Sequence, residues 1–310
     1  MTRAEDWRGL ESAPRWIVTF TGAYLLLGLF ALYVWCVLAP TSSIEGPSNG
    51  AEALSVTAMA ATQAWLCLLA LQSFQPGAPL RRAWLLILLS AASRTVGGLA
   101  AQVLGTAWML NPLASPAQIE RIHRTAVVVA EPVQMALLAA GLAVALVVLR
   151  RFGFWTRPKA MGWALAGVVL LFGLFRLGET VAAWMAGGPF GAGALALFRN
   201  LVLCVLLLEA LLLWQSAASM GRGLIAKCWR AFAIGIFVTG FGEAAFWTIG
   251  HYSPGRLVAS FEWYVWFPAA AVFALAPAYC VAAVRRATGR VSPPSKRMAV
   301  RGFGPAIPAR

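Results

Sequence analysis

Eight times along this chain an apolar run of twenty or more residues recurs, separated by short polar connections. An α-helix rises about 1.5 Å per residue, so about twenty apolar residues cross the hydrocarbon of a bilayer. Lipid accepts only segments whose backbone polar groups are satisfied internally. The runs near 16–39, 53–75, 81–105, 126–150, 160–186, 192–217, 225–250 and 259–284 therefore predict an all-α polytopic membrane protein, a bundle of about eight transmembrane helices. Composition agrees: 60% of the 310 residues are hydrophobic and 12% charged, where a soluble domain carries about a quarter charged residues. The chain divides into an N-terminal segment (1–15), the eight-helix transmembrane domain (16–286) and a basic tail (287–310). The first run is too long for a signal-peptide core and reads as a retained helix.

The basic residues give an orientation. Nineteen of the 25 lie in the N-terminal segment, the second-to-third, fourth-to-fifth and sixth-to-seventh connections, and the tail. The opposite connections hold only Arg121, Arg124 and Arg256, and Arg94, Arg176 and Arg199 fall inside spans. By the positive-inside rule both termini face the cytoplasm, and the expected location is a bacterial inner membrane. The net charge of +14 is then a topology signal, and no nucleic-acid partner is expected. The tail has no acidic residue and is rich in Pro and Gly, a composition that favours disorder and anionic lipid headgroups.

Several local features refine the helices. Trp16, Trp35, Trp84, Trp108, Trp163, Trp184, Trp214, Trp229 and Trp247 fall near span ends, where indole rings favour the interface. Ser115-Pro116-Ala117-Gln118 reads as a helix start leading into the fourth span. Pro132, Pro268 and Pro277 should kink the fourth and eighth spans. Similar Gly- and Ala-rich patterns in the third, fifth and seventh spans suggest a two-helix hairpin repeated about three times in parallel, flanked by the first and last spans.

The chemistry concentrates in ionisable residues inside the spans. Arg94, Arg176 and Arg199 stand against Glu131, Glu179, Glu209, Glu243 and Glu262. Counting helical rise, Arg94 and Arg176 lie roughly 16 Å from the outer boundary, and Glu179, Arg199 and Glu243 roughly 10–12 Å. Each charge at mid-bilayer costs about 2.5–3.5 kcal/mol on insertion scales, so these groups must face one another or a wet cavity. Arg176 and Glu179, three residues apart in "FRLGET", share a helix face. The predicted cluster is Arg94, Glu131, Arg176, Glu179, Arg199, Asn200, Glu243 and Glu262, all in the outer half except where Glu209 stands apart. Two readings stay open: an ion-pair network that fixes helix register, or a polar cavity that binds a solute, a lipid headgroup or a proton.

Motifs for other chemistry are missing. There is no H-E-x-x-H, P-loop or G-x-S-x-G, and the one aspartate is Asp6. A glutamate-based hydrolase using Glu179 or Glu243 would have no nameable nucleophile, so no enzyme is expected. Cys36, Cys67, Cys204, Cys228 and Cys280 lack C-x-x-C spacing, which argues against a disulfide framework or thiolate metal site. No cofactor is expected; His123 and His251, both near the outer face, are the two residues able to ligate a haem axially. Phe175-Arg176-Leu177-Gly178-Glu179, with Glu243 and the aromatic run at 261–268, resembles the fungal lipid-translocating exporter family over about thirty residues. The second arginine and the aspartate that family places after the aromatics are absent here, so no membership follows. The leading expectation is a transporter or a lipid- or solute-handling protein whose partners are membrane lipids. The alternative is a structural, assembly or sensory subunit that binds a membrane-protein partner or a second copy.

Overall fold

The computed structural model describes residues 12–38, 49–109, 116–154, 160–187, 190–252 and 256–290. They form eight α-helices: α1 (Ala13–Leu38), α2 (Asn49–Gln72), α3 (Pro79–Met109), α4 (Pro116–Arg151), α5 (Ala160–Met185), α6 (Phe190–Ser219), α7 (Leu224–Tyr252) and α8 (Arg256–Arg290). No strand occurs among the described residues. Each of α2–α8 carries an apolar stretch of 19–27 residues, long enough to cross a bilayer. The fold is thus the polytopic helical bundle that the apolar runs require. The eighth helix extends six residues past its apolar run, and α4 begins at Pro116, so the expected surface helix and the fourth span are one continuous helix.

Six of the helices close into a ring, in the order α2, α3, α4, α6, α7, α8 and back to α2. Outside the ring, α1 packs on α8 and α5 packs on α6. Small residues set the spacing, because in lipid it is close packing and not water exclusion that joins helices. A methyl group on Gly141 of α4 would sit 2.9 Å from Ile87 Cγ1 and 3.1 Å from the Ala83 carbonyl oxygen of α3. Gly97 leaves equally little room against Ala130. Gly141→Ala should therefore destabilise the detergent-solubilised protein by about 1–3 kcal/mol, since a backbone oxygen cannot swing aside. Gly167→Ala on α5, where nothing lies within 4 Å, is the matched control and should be neutral or slightly stabilising. Equal thermal midpoints for the two variants would show that α3 and α4 are not held this closely.

The ring has internal regularity, and it runs over four helices. Turning it so that α2, α3 and α4 fall on α6, α7 and α8 reproduces every ring contact. The sequence supports the match. Gln72-Ser73, Gly77 and Trp84 along α2–α3 correspond to Gln215-Ser216, Gly221 and Trp229 along α6–α7. Both glycines have left-handed backbones, φ 93° and 81°, a conformation that L side chains resist at these turns. Two of the expected hairpins, α2–α3 and α6–α7, are packed pairs, whereas α4 and α5 do not pack together. The peripheral helices break the regularity: the counterpart of α1 on α8 would be α5 on α4, yet α5 lies on α6.

The C-terminal ends of α2, α4 and α6 lie on one face, here called the turn face. Ser219 Oγ donates to the Phe154 carbonyl across it. Just inside this face the ring is filled by aromatic side chains. Trp84 and Trp229, at matching positions of α3 and α7, are 1% and 2% exposed and pack at a tilt with centroids 6.1 Å apart. Phe232 joins both at 6.0 Å, and Phe273 of α8 extends the cluster a further 6.4 Å from Phe232. These two tryptophans therefore do not serve as the interfacial anchors their positions suggest. Trp16, Trp163, Trp184 and Trp214 are exposed, as anchors should be.

Candidate functional site

Beyond the aromatic cluster the ring opens into a cavity of about 480 Å³. All six ring helices contribute to its wall, and among the described residues neither α1 nor α5 does. Its floor is apolar, built from Leu138, Leu203, Leu206, Ile236 and Phe273. Farther from the turn face the wall becomes charged, with Arg94 on α3, Glu131 on α4, Arg199 on α6 and Glu243 on α7. Each lies 15–20 residues from the turn-face end of its helix, about 22–30 Å of rise. The four side chains thus share one level.

Arg199 organises this level. Its guanidinium bonds Glu243 through Nη2, and its Nε lies 3.1 Å from Glu131 Oε2. The Nε contact is an ion pair and not an aligned hydrogen bond, because the N–H points off the oxygen. One cation therefore holds two carboxylates from the helices on either side of it. Arg94 is different. Glu131 is its electrostatic neighbour, but among the described residues Arg94 makes no hydrogen bond and no ion pair. Its guanidinium lines the cavity uncommitted.

The remaining residues of the expected cluster are placed as follows. Arg176 and Glu179 bond each other at 3.0 Å on α5, with side chains 23% and 33% exposed. They lie outside the cavity wall, although Arg176 is an electrostatic neighbour of Glu243. Asn200 is buried and faces outward from the ring: its Nδ2 donates to Thr180 Oγ1 of α5 at 3.1 Å, and Thr180 donates to the Arg176 carbonyl at 2.8 Å. The charges so form a string of alternating sign, Arg94, Glu131, Arg199, Glu243, Arg176 and Glu179, from the cavity to the flank of α5. The side chains of Glu262, His123 and His251 lie outside those described, as do residues 1–11 and the tail beyond Arg290. Glu209 is buried in α6 apart from the string, and its Oε2 has no hydrogen-bond partner among the described residues.

Gln134, Thr57 and Thr239 also line the cavity, and the sequence alone does not single them out. Uncharged polar residues are common in membrane helices, and nothing in spacing sets these apart. Thr239 already donates to the Gly235 carbonyl at 2.9 Å. Among the described residues no group of three His, Cys, Asp or Glu side chains can hold a metal ion. Cys67, Cys228 and Cys280 are buried free thiols from three helices and influence one another electrostatically without forming such a site.

No protein-family model, no curated protein and no solved structure matches this chain. Fold and site together define it as an integral membrane protein of seven or more apolar helices. Its distinguishing feature is a closed six-helix ring that encloses a charged cavity.

Proposed function

We propose that this is a bacterial inner-membrane protein that handles a solute or a lipid headgroup, and that its ring cavity is the binding site. The observation that carries the reading is the uncommitted Arg94. An intramembrane charge is expensive unless paired, and a network serving only to fix helix register would pair it. Here a second cation is left facing a void while Arg199 takes both carboxylates. The cavity volume lies in the range of roughly 300–1,000 Å³ typical of small-molecule sites, with an apolar lining and few polar groups. With the basic connections and both termini cytoplasmic, the charged level lies in the outer half of the membrane and the floor faces inward. The activity we infer is transport or presentation of the bound molecule, without covalent chemistry.

The test is to fill the cavity. Leu203→Trp projects an indole from the floor into the void. Native mass spectrometry of the full chain, purified in mild detergent, should find a bound small molecule or lipid on the wild type. The occluded variant should lose it while keeping its gel-filtration profile. Identical bound masses on both proteins would remove the cavity from consideration.

One observation favours a second reading, that of a subunit in a larger assembly. Only 6% of the α5 span is buried, against 33–67% for the other described spans, and Leu171 and Leu174 are 69% and 64% exposed. Lipid can cover those side chains, but the partly exposed Arg176–Glu179 pair is poorly suited to it. Co-purification of a membrane-protein partner at fixed stoichiometry, lost on Arg176→Leu/Glu179→Leu, would establish this reading over the first.

A further inference from the structure

The charge pattern of the cavity specifies more than a polar ligand. Among the described residues its wall holds two cationic and two anionic side chains, Arg94 and Arg199 against Glu131 and Glu243, whose formal charges cancel. Arg199 engages Glu131 Oε2 and Glu243 Oε1. Glu131 Oε1 and Glu243 Oε2 make no hydrogen bond among the described residues, and a carboxylate can accept several. The cavity thus presents an open guanidinium on α3 and open carboxylate oxygens on α4 and α7, at one level above an apolar floor.

Resting on the reading of this cavity as the binding site, we propose that its ligand is a zwitterion with an apolar body. The carboxylate or phosphate of the ligand binds Arg94, and its ammonium binds the open oxygens of Glu131 and Glu243. The apolar part rests on Leu203, Leu206 and Ile236. Neutrality selects this class. A lone anion would satisfy Arg94 but leave a net negative site in a low-dielectric surround, and a lone cation would leave a net positive one; each carries a desolvation cost that a zwitterion avoids. The guanidinium fork adds bidentate recognition of a planar carboxylate or a phosphate. Arg199 does not compete, because the protein's own carboxylates occupy it.

Two sources supply this chemistry: a free amino acid with an apolar side chain and a zwitterionic lipid headgroup. Isothermal titration of the full chain in detergent compares leucine with its anion-only analogue 4-methylpentanoate and its cation-only analogue 3-methylbutylamine. Native mass spectrometry from mixed nanodiscs compares phosphatidylethanolamine with phosphatidylglycerol. In one of the two arms the zwitterion should bind at least tenfold more tightly than its singly charged counterparts, which also identifies the source. Arg94→Gln should weaken that binding at least tenfold without moving the thermal midpoint, because the Arg94 head supports no contact within the fold. Ile236→Trp, which fills the floor and leaves every charge in place, should abolish it as well.

Tight binding of 4-methylpentanoate or phosphatidylglycerol, lost in Arg94→Gln, would keep the cavity as the site and overturn the zwitterion. Binding in neither arm that responds to Arg94→Gln or Ile236→Trp would overturn the site and the ligand class together.

Discussion

Arg199→Gln should be the most damaging polar substitution in the molecule, lowering stability by about 3 kcal/mol. The guanidinium is the shared partner of Glu131 and Glu243, which come from α4 and α7 on either side of α6. Removing it leaves two carboxylates, one on each side of α6, with no ion-pair partner among the described residues. Breaking a buried pair from one side costs about 3–5 kcal/mol in protein interiors. The lower end applies because the cavity leaves these side chains 14–29% exposed and so partly hydrated. The triple variant Arg199→Gln/Glu131→Gln/Glu243→Gln removes the like-charge conflict and should recover to within about 1 kcal/mol of wild type. Denaturant titration in mixed micelles reads both. A single variant as stable as wild type would mean that the three groups do not hold the ring together. Recovery in the triple variant without recovery of ligand binding would separate the structural use of the pair from its functional use.

Trp84→Ala should cost about 2–4 kcal/mol. Large-to-small aromatic substitutions in soluble cores cost about 3–5 kcal/mol; the smaller figure reflects that detached membrane helices meet lipid and not water. Trp84 is 1% exposed and contacts Trp229 and Phe232. The hole left would lie where the two halves of the ring meet. Trp229→Ala should have a similar effect, given its matching position and 2% exposure. Because the indoles touch, the double variant should lose less than the sum, by about 0.5–3 kcal/mol of coupling. Strict additivity would show that the two tryptophans act in separate environments, against the four-helix correspondence.

The apolar runs alone locate the helices well, because bilayer thickness imposes a length that composition cannot disguise. Pro116 marks the start of α4 as its cap pattern indicates. The tryptophans show the limit of such reasoning. Trp84 and Trp163 both stand near the start of a helix, yet one is buried in the ring and the other is 66% exposed. Nothing in their local sequence separates a ring that faces headgroups from one that faces another helix. The charges were legible as a group, but their partners were not. The pair most conspicuous in the sequence, Arg176 and Glu179, satisfies itself within one turn of α5 and lies off the cavity. The contacts that shape the site join residues 44 and 68 positions apart, Arg199 with Glu243 and with Glu131. They depend on α4 skipping α5 to reach α6, a choice of neighbours that no single-helix periodicity records.

The four aromatic rings plug the six-helix ring on the turn-face side of the cavity. Among the described residues these rings fill the axis on the turn-face side, so no steady ionic current is expected through it. On the proposed transport function, the bound molecule would pass in discrete loads, each requiring Trp84 and Trp229 to part. The indole pair therefore sits at the fulcrum of any such stroke, and its fluorescence would act as a built-in gauge of whether the two halves of the ring have rocked.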